Sequence, residues 1–231
     1  MTGTSAPRRR RGDDTDTRNQ IIAATEAVML EEGYAAATSR RVAARAGVNP
    51  ALVHYYFPTM DELFLAVFRR GAEANLERQR QAMQSDEPVR ALWQQAIDPH
   101  GTALLLEFMA LANHRKEIRN ELAAYSERFR EGQLSALTFV LRARGVDLDT
   151  VPPVLVSVLL ASNARTLIME ADLGITLGHR ELAEFTEDLV RYFEGAPGSR
   201  VGHVLGGLGV GDAAAAAAGD RSIDPPDPAR P

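Results

Sequence analysis

Apolar residues recur with the spacing of helix faces along most of this chain of 231 residues. The first such face lies between a polar N-terminal stretch and Gly33, and its positions are Ile21, Ala24, Thr25, Val28 and Met29. Thr17 with Gln20 three residues later has the pattern of a capping box, and glycine suits the residue just after a helix. The pattern therefore predicts a first helix from about 17 to 32.

Two short helices are predicted next, separated by a tight turn. Thr38 is suited to cap the second helix, and Gly47 is suited to end it. Asn49 is a good N-cap for the third helix because Pro50 then occupies the first helical position, where a missing N–H costs nothing. The third helix should end near Tyr56, since a proline follows two residues later.

Longer helices account for the rest of the pattern. Thr59 with Glu62 forms a second capping box, which predicts a fourth helix that continues to about Met83. Further helical segments are predicted near 87–97, 101–113, 117–143, 152–173 and 179–194. No stretch alternates apolar and polar residues as a half-buried strand would, so the predicted fold class is all-α.

The charge of the chain is divided unevenly. The net charge is −5, yet the segment 1–70 holds ten arginines and eight acidic side chains, a balance of +2. The remainder therefore carries −7, and the more basic N-terminal part is the one suited to face a polyanion. The absence of cysteine excludes disulfides, thiolate zinc sites and cysteine nucleophiles.

Both ends of the chain differ in composition from the middle. Residues 1–14 are polar and include an arginine run at 8–11, which predicts a disordered basic arm. Residues 195–231 are rich in Gly, Ala and Pro, which predicts a disordered tail. No apolar segment follows the basic N-terminal residues as in a signal peptide, and prolines interrupt the apolar run at 151–161. We therefore expect a cytoplasmic protein without membrane contact.

Two short helices joined by the turn "AGVN" have the arrangement of a helix-turn-helix, with the motif at about 38–57. In such a unit the second helix places its N-terminal half in the major groove of DNA, and free N–H groups at the start of the first helix bind phosphate. Small residues allow close approach, so that polar or aromatic side chains contact base edges or phosphates. The candidate DNA-binding residues are Thr38, Ser39, Arg40, Asn49, Pro50, Ala51, Leu52, His54, Tyr55, Tyr56 and Thr59.

The stretch "TSRRVAARAGVNPALVHYYFPTMDEL", residues 38–63, resembles the DNA-binding signature of the TetR family of transcriptional regulators. The shared positions are Thr38, Val42-Ala43, Ala46-Gly47-Val48, the run from Val53 to Phe57, and the Asp61-Glu62-Leu63 start of the fourth helix. The resemblance covers about residues 17–64. It implies a DNA-binding domain at 15–64 and a helical ligand-binding and dimerisation domain at 65–194.

Two departures from the family pattern affect the expected DNA contacts. Met60 stands where the family usually has a phosphate-binding lysine, so one phosphate contact is in doubt. His54 and Tyr56 stand where the family often has Tyr and His, so the preferred DNA sequence is expected to be unusual. Arg41 and Arg45 fit either a solvated helix face or contacts to the DNA backbone, and the sequence leaves both interpretations open.

The resemblance also implies how the remaining helices act. The helices at about 152–173 and 179–194 have the lengths expected for the family's dimer-forming four-helix bundle. A homodimer would bind a palindromic operator in double-stranded DNA, and a small, hydrophobic effector would release this repressor. The candidate ligand-binding residues are Trp93, Glu107, Met109, Asn113, His114 and Asn163. Core packing and a dimer seam would explain the same helix faces.

Two other functions are compatible with parts of the sequence. His100, Glu107 and His114 recur every seven residues, whereas metal ligands on neighbouring helix turns need spacings of three or four. Without a glycine-rich phosphate loop or a G-x-S-x-G motif, we expect no enzyme activity, no catalytic residue, no bound metal and no cofactor. An architectural DNA-binding protein is the other alternative, and salt would dominate its affinity.

Overall fold

The structure, a computed structural model, describes residues 8–195 and Val201, with side chains from Asp14 onward. Its helices are α1 (Arg8–Glu32), a short 3-10 helix (Tyr34–Ala36), α2 (Ser39–Ala46), α3 (Pro50–Tyr56), α4 (Met60–Met83), α5 (Pro88–Ala96), α6 (Pro99–Ala112), α7 (Lys116–Ala143), α8 (Pro153–Asp172) and α9 (His179–Glu194). No strand occurs among these residues, which confirms the all-α prediction. Apart from the start of α1, each α-helix begins and ends within two residues of its predicted bounds, whereas the 3-10 helix was not predicted.

Local sequence signals set the ends of the short helices α2 and α3. Thr38 Oγ1 accepts a hydrogen bond from the N–H of Arg41 at 3.3 Å, and Asn49 Oδ1 accepts one from the N–H of Ala51 at 2.9 Å. Between the two helices Gly47 has φ 67°, the left-handed conformation in which a Cβ would be strained. The structure therefore contains the predicted helix-turn-helix, and its two N-cap residues make the hydrogen bonds on which the prediction was based.

Helix α1 begins at Arg8, nine residues before its predicted start at Thr17. The structure thus corrects the expected disordered arm over residues 1–14, because residues 8–14 are helical. Arginine has a high helix propensity, and each residue added to an existing helix gains a hydrogen bond, so the polar run extends α1. Residues 1–7 lie outside the described part of the chain.

The helices form two compact units, and the first contains the helix-turn-helix. It comprises the described residues up to Arg80 together with Ile97–Phe129. Phe108 and Leu111 of α6 are buried in the same core as residues of α1, α2 and α4. The predicted domain boundary after residue 64 therefore lies inside this unit, because the apolar face of α6 belongs to its core.

The second unit comprises Gln81–Ala96 and the described residues from Arg130 onward. Val201 is buried in this unit, and its N–H donates to Asp188 Oδ2 at 2.7 Å. The predicted disordered tail at 195–231 lies outside the described residues, apart from its first residue and Val201. The most deeply buried side chains of the second unit include Trp93, Leu137, Leu141, Val156, Leu160, Ala164, Val190 and Phe193.

Helix α8, in the second unit, is unusually apolar for a helix with so much exposed surface. It contains an 18-residue window of mean hydropathy 1.4, of which 22% is buried. By length and composition alone α8 meets the criterion for crossing a membrane, which core helices of soluble proteins also meet. The sequence prediction against a membrane span rested on the prolines in the run at 151–161 and on the polar residues Ser162, Asn163 and Arg165 after it, whereas α8 is one continuous helix from Pro153 to Asp172.

Candidate DNA-binding surface

A small apolar core holds α2 and α3 in place. Val42, Ala43 and Ala46 of α2 and Val53 of α3 are at most 5% exposed. They share this core with residues of α1 such as Val28, which is fully buried. Because helices of seven and eight residues cannot bury a core by themselves, α1 fixes their orientation and leaves their other faces to solvent.

The exposed face of α3 carries most of the predicted DNA contacts. Tyr55 is 72% exposed and Leu52 is 39% exposed. Burying such large apolar side chains would stabilise the fold, so their exposure is unusual. The other predicted contacts that are exposed are Thr38, Arg40, Asn49, Pro50, Ala51, His54 and Thr59. Rigid aromatic and apolar side chains on an otherwise polar surface are suited to pack against a partner such as a thymine methyl group.

Tyr56 and Ser39, the other two predicted contacts, are half-buried. The Tyr56 hydroxyl donates to Asp14 Oδ1 at 3.1 Å, and its ring lies edge-on to Tyr55 with the centroids 5.0 Å apart. Desolvation, followed by the hydrogen bond to Asp14, raises the pKa of Tyr56. Tyr56 therefore ties α3 to α1, and a contact with phosphate would compete with this hydrogen bond.

Two arginines whose role the sequence left open form ion pairs with α1. Arg41 Nε donates to Glu32 Oε1 at 2.9 Å, and Arg45 Nη1 donates to Glu31 Oε2 at 2.7 Å. The hydrogen bond from Arg41 lowers the pKa of Glu32. Both arginines thus brace α2 against α1 in this structure.

Arg40 differs from these two arginines because it makes no ion pair with any described residue and its side chain is exposed. It lies in the first turn of α2, where the helix N–H groups and dipole favour an anion. Of the three arginines on α2, Arg40 is therefore the one that is free to bind a DNA phosphate.

The start of α4 retains the predicted capping box without the basic residue of the family pattern. The N–H of Glu62 donates to Thr59 Oγ1 at 3.2 Å, and the Thr59 hydroxyl donates back to Glu62 Oε1 at 3.2 Å. Met60 is half-buried against the core of the first unit. An apolar side chain thus occupies the position of the usual lysine.

Helix α6 contacts the segment that leads into α2 through one carboxylate. Glu107 Oε2 accepts a hydrogen bond from the Tyr34 N–H at 2.6 Å, across 73 residues of sequence. Tyr34 opens the 3-10 helix that ends just before the cap of α2. The sequence predicted Glu107 as a ligand-binding residue, and it held no local signal for the Tyr34 N–H as a partner.

A second polar junction joins α1, α4 and α6. Arg70 of α4 donates to Glu26 Oε2, and His100 Nε2 of α6 lies 3.1 Å from Glu26 Oε1. Burial raises the pKa of Glu26, but the bonds to Arg70 and His100 outweigh burial and lower it. The carboxylate of Glu26 is therefore held ionised between two basic side chains.

The six candidate ligand-binding residues do not fall in one unit. Trp93 and Asn163 belong to the second unit, where Trp93 is 5% exposed and Asn163 Nδ2 donates to Thr186 Oγ1 at 2.9 Å. Glu107, Met109, Asn113 and His114 belong to the first unit, and Met109, Asn113 and His114 are exposed.

A groove of about 490 Å³ lies in the first unit, with Arg18, Tyr56 and Arg69 among the residues that line it. None of the six candidate ligand-binding residues lines this groove. Among the residues whose side chains the structure describes, no group of three His, Asp or Glu side chains is arranged to hold a metal ion. The spacing of His100, Glu107 and His114 thus brings no metal site together in this part of the chain.

Known proteins are similar to this chain in the region of the helix-turn-helix. The family model described as "Bacterial regulatory proteins, tetR family" matches residues 21–67, which include α2, α3 and the start of α4. The regulator BetI of Rhizobium meliloti is 29% identical over 129 residues, which cover 52% of this chain and 64% of BetI. The activator FasR of Mycolicibacterium smegmatis is 30% identical over 83 residues, which cover 36% of this chain and 38% of FasR. The chain thus spans less than two thirds of each of these relatives.

Among solved structures, the fold is similar to a transcriptional regulator of Saccharomonospora viridis that was crystallised with choline. The TM-score is 0.65 at 18% identity, over 75% of this chain and 96% of that one. At this identity the similarity concerns the fold, and it extends well beyond the helix-turn-helix.

Proposed function

Because the chain belongs to the TetR family of bacterial regulatory proteins, we propose that it is a homodimeric, ligand-responsive transcriptional regulator. It acts as a repressor that a small hydrophobic molecule releases from a palindromic operator. Members of this family are non-enzymatic DNA-binding transcription factors, so we assign no catalytic role to any residue. The protein acts in the cytoplasm, and on the nucleoid when it is bound to DNA. The exposed N-terminal half of α3, fixed on a buried core, is the observation that carries the proposal.

Helix α3 supplies the contacts that recognise the DNA sequence. Asn49, His54 and Tyr55 present hydrogen-bonding groups to base edges in the major groove, and Leu52 presents an apolar side chain to thymine methyl groups. Pro50 and Ala51 are small enough to let the helix approach the bases. These residues provide the sequence preference of the regulator.

Phosphate contacts position the two short helices on the duplex. Thr38, Ser39 and Arg40 at the start of α2 bind one phosphate, and Thr59 at the start of α4 binds a second. Tyr56 exchanges its hydrogen bond with Asp14 for one with a phosphate oxygen when DNA is bound. Because Met60 replaces the usual lysine, this DNA-binding domain has one basic phosphate contact fewer than the family pattern has.

Apolar side chains on α8 and α9 support a dimer of two copies of this chain. Exposed large apolar residues on these helices and the loop between them are Val154, Leu155, Leu159, Met169, Leu173, Ile175, Leu177 and Phe185. Several exposed apolar residues along one helix and the loop after it are typical of a protein interface. Covering α8 with the same helix of a second copy accounts for an apolar helix that one chain leaves largely half-buried or exposed.

The effector binds the helical ligand-binding domain and changes the positions of the two DNA-binding domains in the dimer. Trp93 and Asn163 are the proposed ligand contacts in the second unit, with Glu107, Met109, Asn113 and His114 in the first. The choline in the Saccharomonospora structure supports small-molecule binding by this fold. A dimer contacts two half-sites about one helical turn apart. A change in the separation of its two DNA-binding domains therefore prevents them from binding both half-sites at once. The ligand shifts this equilibrium through its different affinity for the two states.

Genomic fragment capture tests this function. Sheared DNA from the source organism is bound to the purified protein, recovered at a low and a high salt concentration, and sequenced. We expect one palindromic site to survive high salt. We expect Tyr55→Ala to lose that enrichment, while Phe139→Ala, which removes a similarly exposed aromatic ring from α7, retains it. Recovery of arbitrary fragments that are lost as salt rises would instead indicate an architectural DNA-binding protein.

A further inference from the structure

Most arginines around the helix-turn-helix already have a carboxylate partner. Six arginines lie between residues 14 and 70, where the structure describes every side chain. Four of them pair with glutamates, and these are Arg41, Arg45, Arg69 and Arg70. The other two, Arg18 and Arg40, are exposed and make no ion pair with a described residue. Arg40 is already proposed to bind a phosphate, so Arg18 is the arginine that still lacks a role.

The side chain of Arg18 lies over the aromatic ring of Phe57, the residue that follows α3. The Cζ atom of Arg18 is 4.9 Å from the centroid of this ring. Phe57 is 3% exposed, so its ring is a fixed support for the guanidinium. An aromatic face attracts a cation but, unlike a carboxylate, leaves the net charge of the guanidinium uncompensated. Arg18 is therefore held in position with its charge available to an anion.

Arg18 and Tyr56 line the same groove, the one of about 490 Å³ in the first unit. The other charged side chains of this groove are already engaged: Arg69 with Glu121, Arg70 with Glu26, Glu73 with Arg128, and Glu62 with the Thr59 hydroxyl. Arg18 is thus the charged side chain of the groove that has no ion pair or hydrogen bond to a described residue.

The hydroxyl of Tyr56 lies beside the same face of α1. It donates to Asp14 Oδ1 at 3.1 Å, and Asp14 lies four residues before Arg18. Residues four apart in a helix are neighbours on one face, so Arg18 is one turn from the carboxylate that Tyr56 contacts. A phosphate that takes this hydroxyl from Asp14 is repelled by the carboxylate unless a cation lies nearby. Arg18 is the cation in that position.

We infer that Arg18 and the Tyr56 hydroxyl together bind one DNA phosphate beside the end of α3. The inference rests on the proposed DNA-binding function and adds a basic contact from α1, outside the helix-turn-helix. The guanidinium donates charge-assisted hydrogen bonds to the phosphate oxygens, and the hydroxyl donates another. Met60 removes a basic contact from the start of α4, and Arg18 supplies one from the neighbouring helix. The contact positions α3 on the duplex without reading its sequence.

The salt dependence of DNA binding measures this contact. The fluorescence anisotropy of a labelled duplex of arbitrary sequence is titrated with the full chain at several salt concentrations, because phosphate contacts do not depend on sequence. Each phosphate contact contributes about 0.9 to the slope of log K against log salt, so Arg18→Met should make the slope of a homodimer shallower by about 1.8. At low salt this variant should bind roughly tenfold to a hundredfold more weakly.

Two further variants separate a phosphate contact from a structural effect of Arg18. Arg18→Lys keeps a cation over Phe57, so we expect it to retain the slope of the wild type. Arg69→Met removes the same charge from the same groove, but Arg69 is already paired with Glu121, so its slope should not change. Thermal midpoints of all variants report whether the fold is intact, since methionine still covers the ring of Phe57 with an apolar side chain.

Asp14→Asn tests the same place without changing a basic residue. It removes the charge that repels a phosphate at the Tyr56 hydroxyl, so we expect binding at low salt to become several-fold tighter. Asp16→Asn is the matched control, because Asp16 is also exposed but lies two residues later, on another face of α1. Its effect should be clearly smaller than that of Asp14→Asn.

An unchanged slope for Arg18→Met, or an equal loss of slope in Arg69→Met, overturns the inference. If Arg18→Met lowers only the thermal midpoint, Arg18 serves to cover Phe57, and the inference is wrong. Equal effects of Asp14→Asn and Asp16→Asn also contradict it. Genomic fragment capture is independent of these titrations. A protein that captures an operator and does not need Arg18 contradicts only this inference, whereas one that needs Arg18 and captures no palindromic site contradicts the proposed function.

Discussion

The hydrogen bond between Glu107 and the Tyr34 amide is the single contact most open to a quantitative test. We consider the change Glu107→Ala. The carboxylate of Glu107 is half-buried and accepts the Tyr34 N–H at 2.6 Å, a short, charge-assisted bond. Hydrogen bonds to charged groups contribute about 1.5–3 kcal/mol, and the alanine leaves the Tyr34 N–H without this acceptor. We therefore expect the free energy of unfolding of the first unit to fall by about 1.5–3 kcal/mol.

Amide hydrogen exchange resolves this effect at its site. Loss of the acceptor should speed exchange at Tyr34 by roughly tenfold to a hundredfold, since each step of about 1.4 kcal/mol is a factor of ten. Glu107→Gln keeps a neutral acceptor oxygen, so we expect it to lose about half of the stabilisation. Met109→Ala, at an exposed position two residues later on α6, is the control and should change stability by less than about 0.5 kcal/mol.

The consequence for DNA binding follows from the position of Tyr34. The 3-10 helix that Tyr34 opens ends at Ala36, just before Thr38 caps α2. Without the hydrogen bond from Tyr34 to Glu107, the start of α2 should become more mobile and operator binding should weaken. If Glu107→Ala leaves both the exchange of the Tyr34 amide and the denaturation midpoint unchanged, the bond does not hold this segment, and the reasoning is refuted.

Three further substitutions test the helix cap, the missing lysine and the dimer. Asn49→Ala removes the acceptor of the Ala51 N–H, so we expect the free energy of unfolding to fall by about 1 kcal/mol and the denaturation midpoint to fall with it. An unchanged midpoint would show that the cap does not contribute to stability. Met60→Lys should add one phosphate contact per protomer, so the dependence of log K on log salt for the dimer should steepen by about 1.8; an unchanged slope in fluorescence anisotropy would contradict this. Leu159→Asp places a charge on the exposed apolar face of α8, so the mass in sedimentation equilibrium should fall from dimer to monomer; a dimer that persists would place the interface elsewhere.

The sequence predicted the elements whose causes are local. Thr38 and Asn49 cap α2 and α3 as expected, because an N-cap involves only the next two or three residues. The start of α1 was not predicted, since the arginine run is equally compatible with a helix and with a solvated coil.

Long-range partners could not be predicted from the chain alone. Glu107 was assigned to a ligand pocket, yet its partner is a backbone N–H that lies 73 residues away. Arg41 and Arg45 pair with glutamates of α1, and helical spacing cannot specify such pairs between helices.

Hydroxyl-radical footprinting on the captured fragment tests the central claim, that two α3 helices of a dimer contact DNA together. The account predicts two protected half-sites with centres about one helical turn apart, roughly 10–10.5 base pairs or a multiple of that. It also predicts that Tyr55→Ala weakens both half-sites equally, because each is contacted by the same exposed side chain. A single protected segment, or continuous protection without a repeated half-site, would contradict the account.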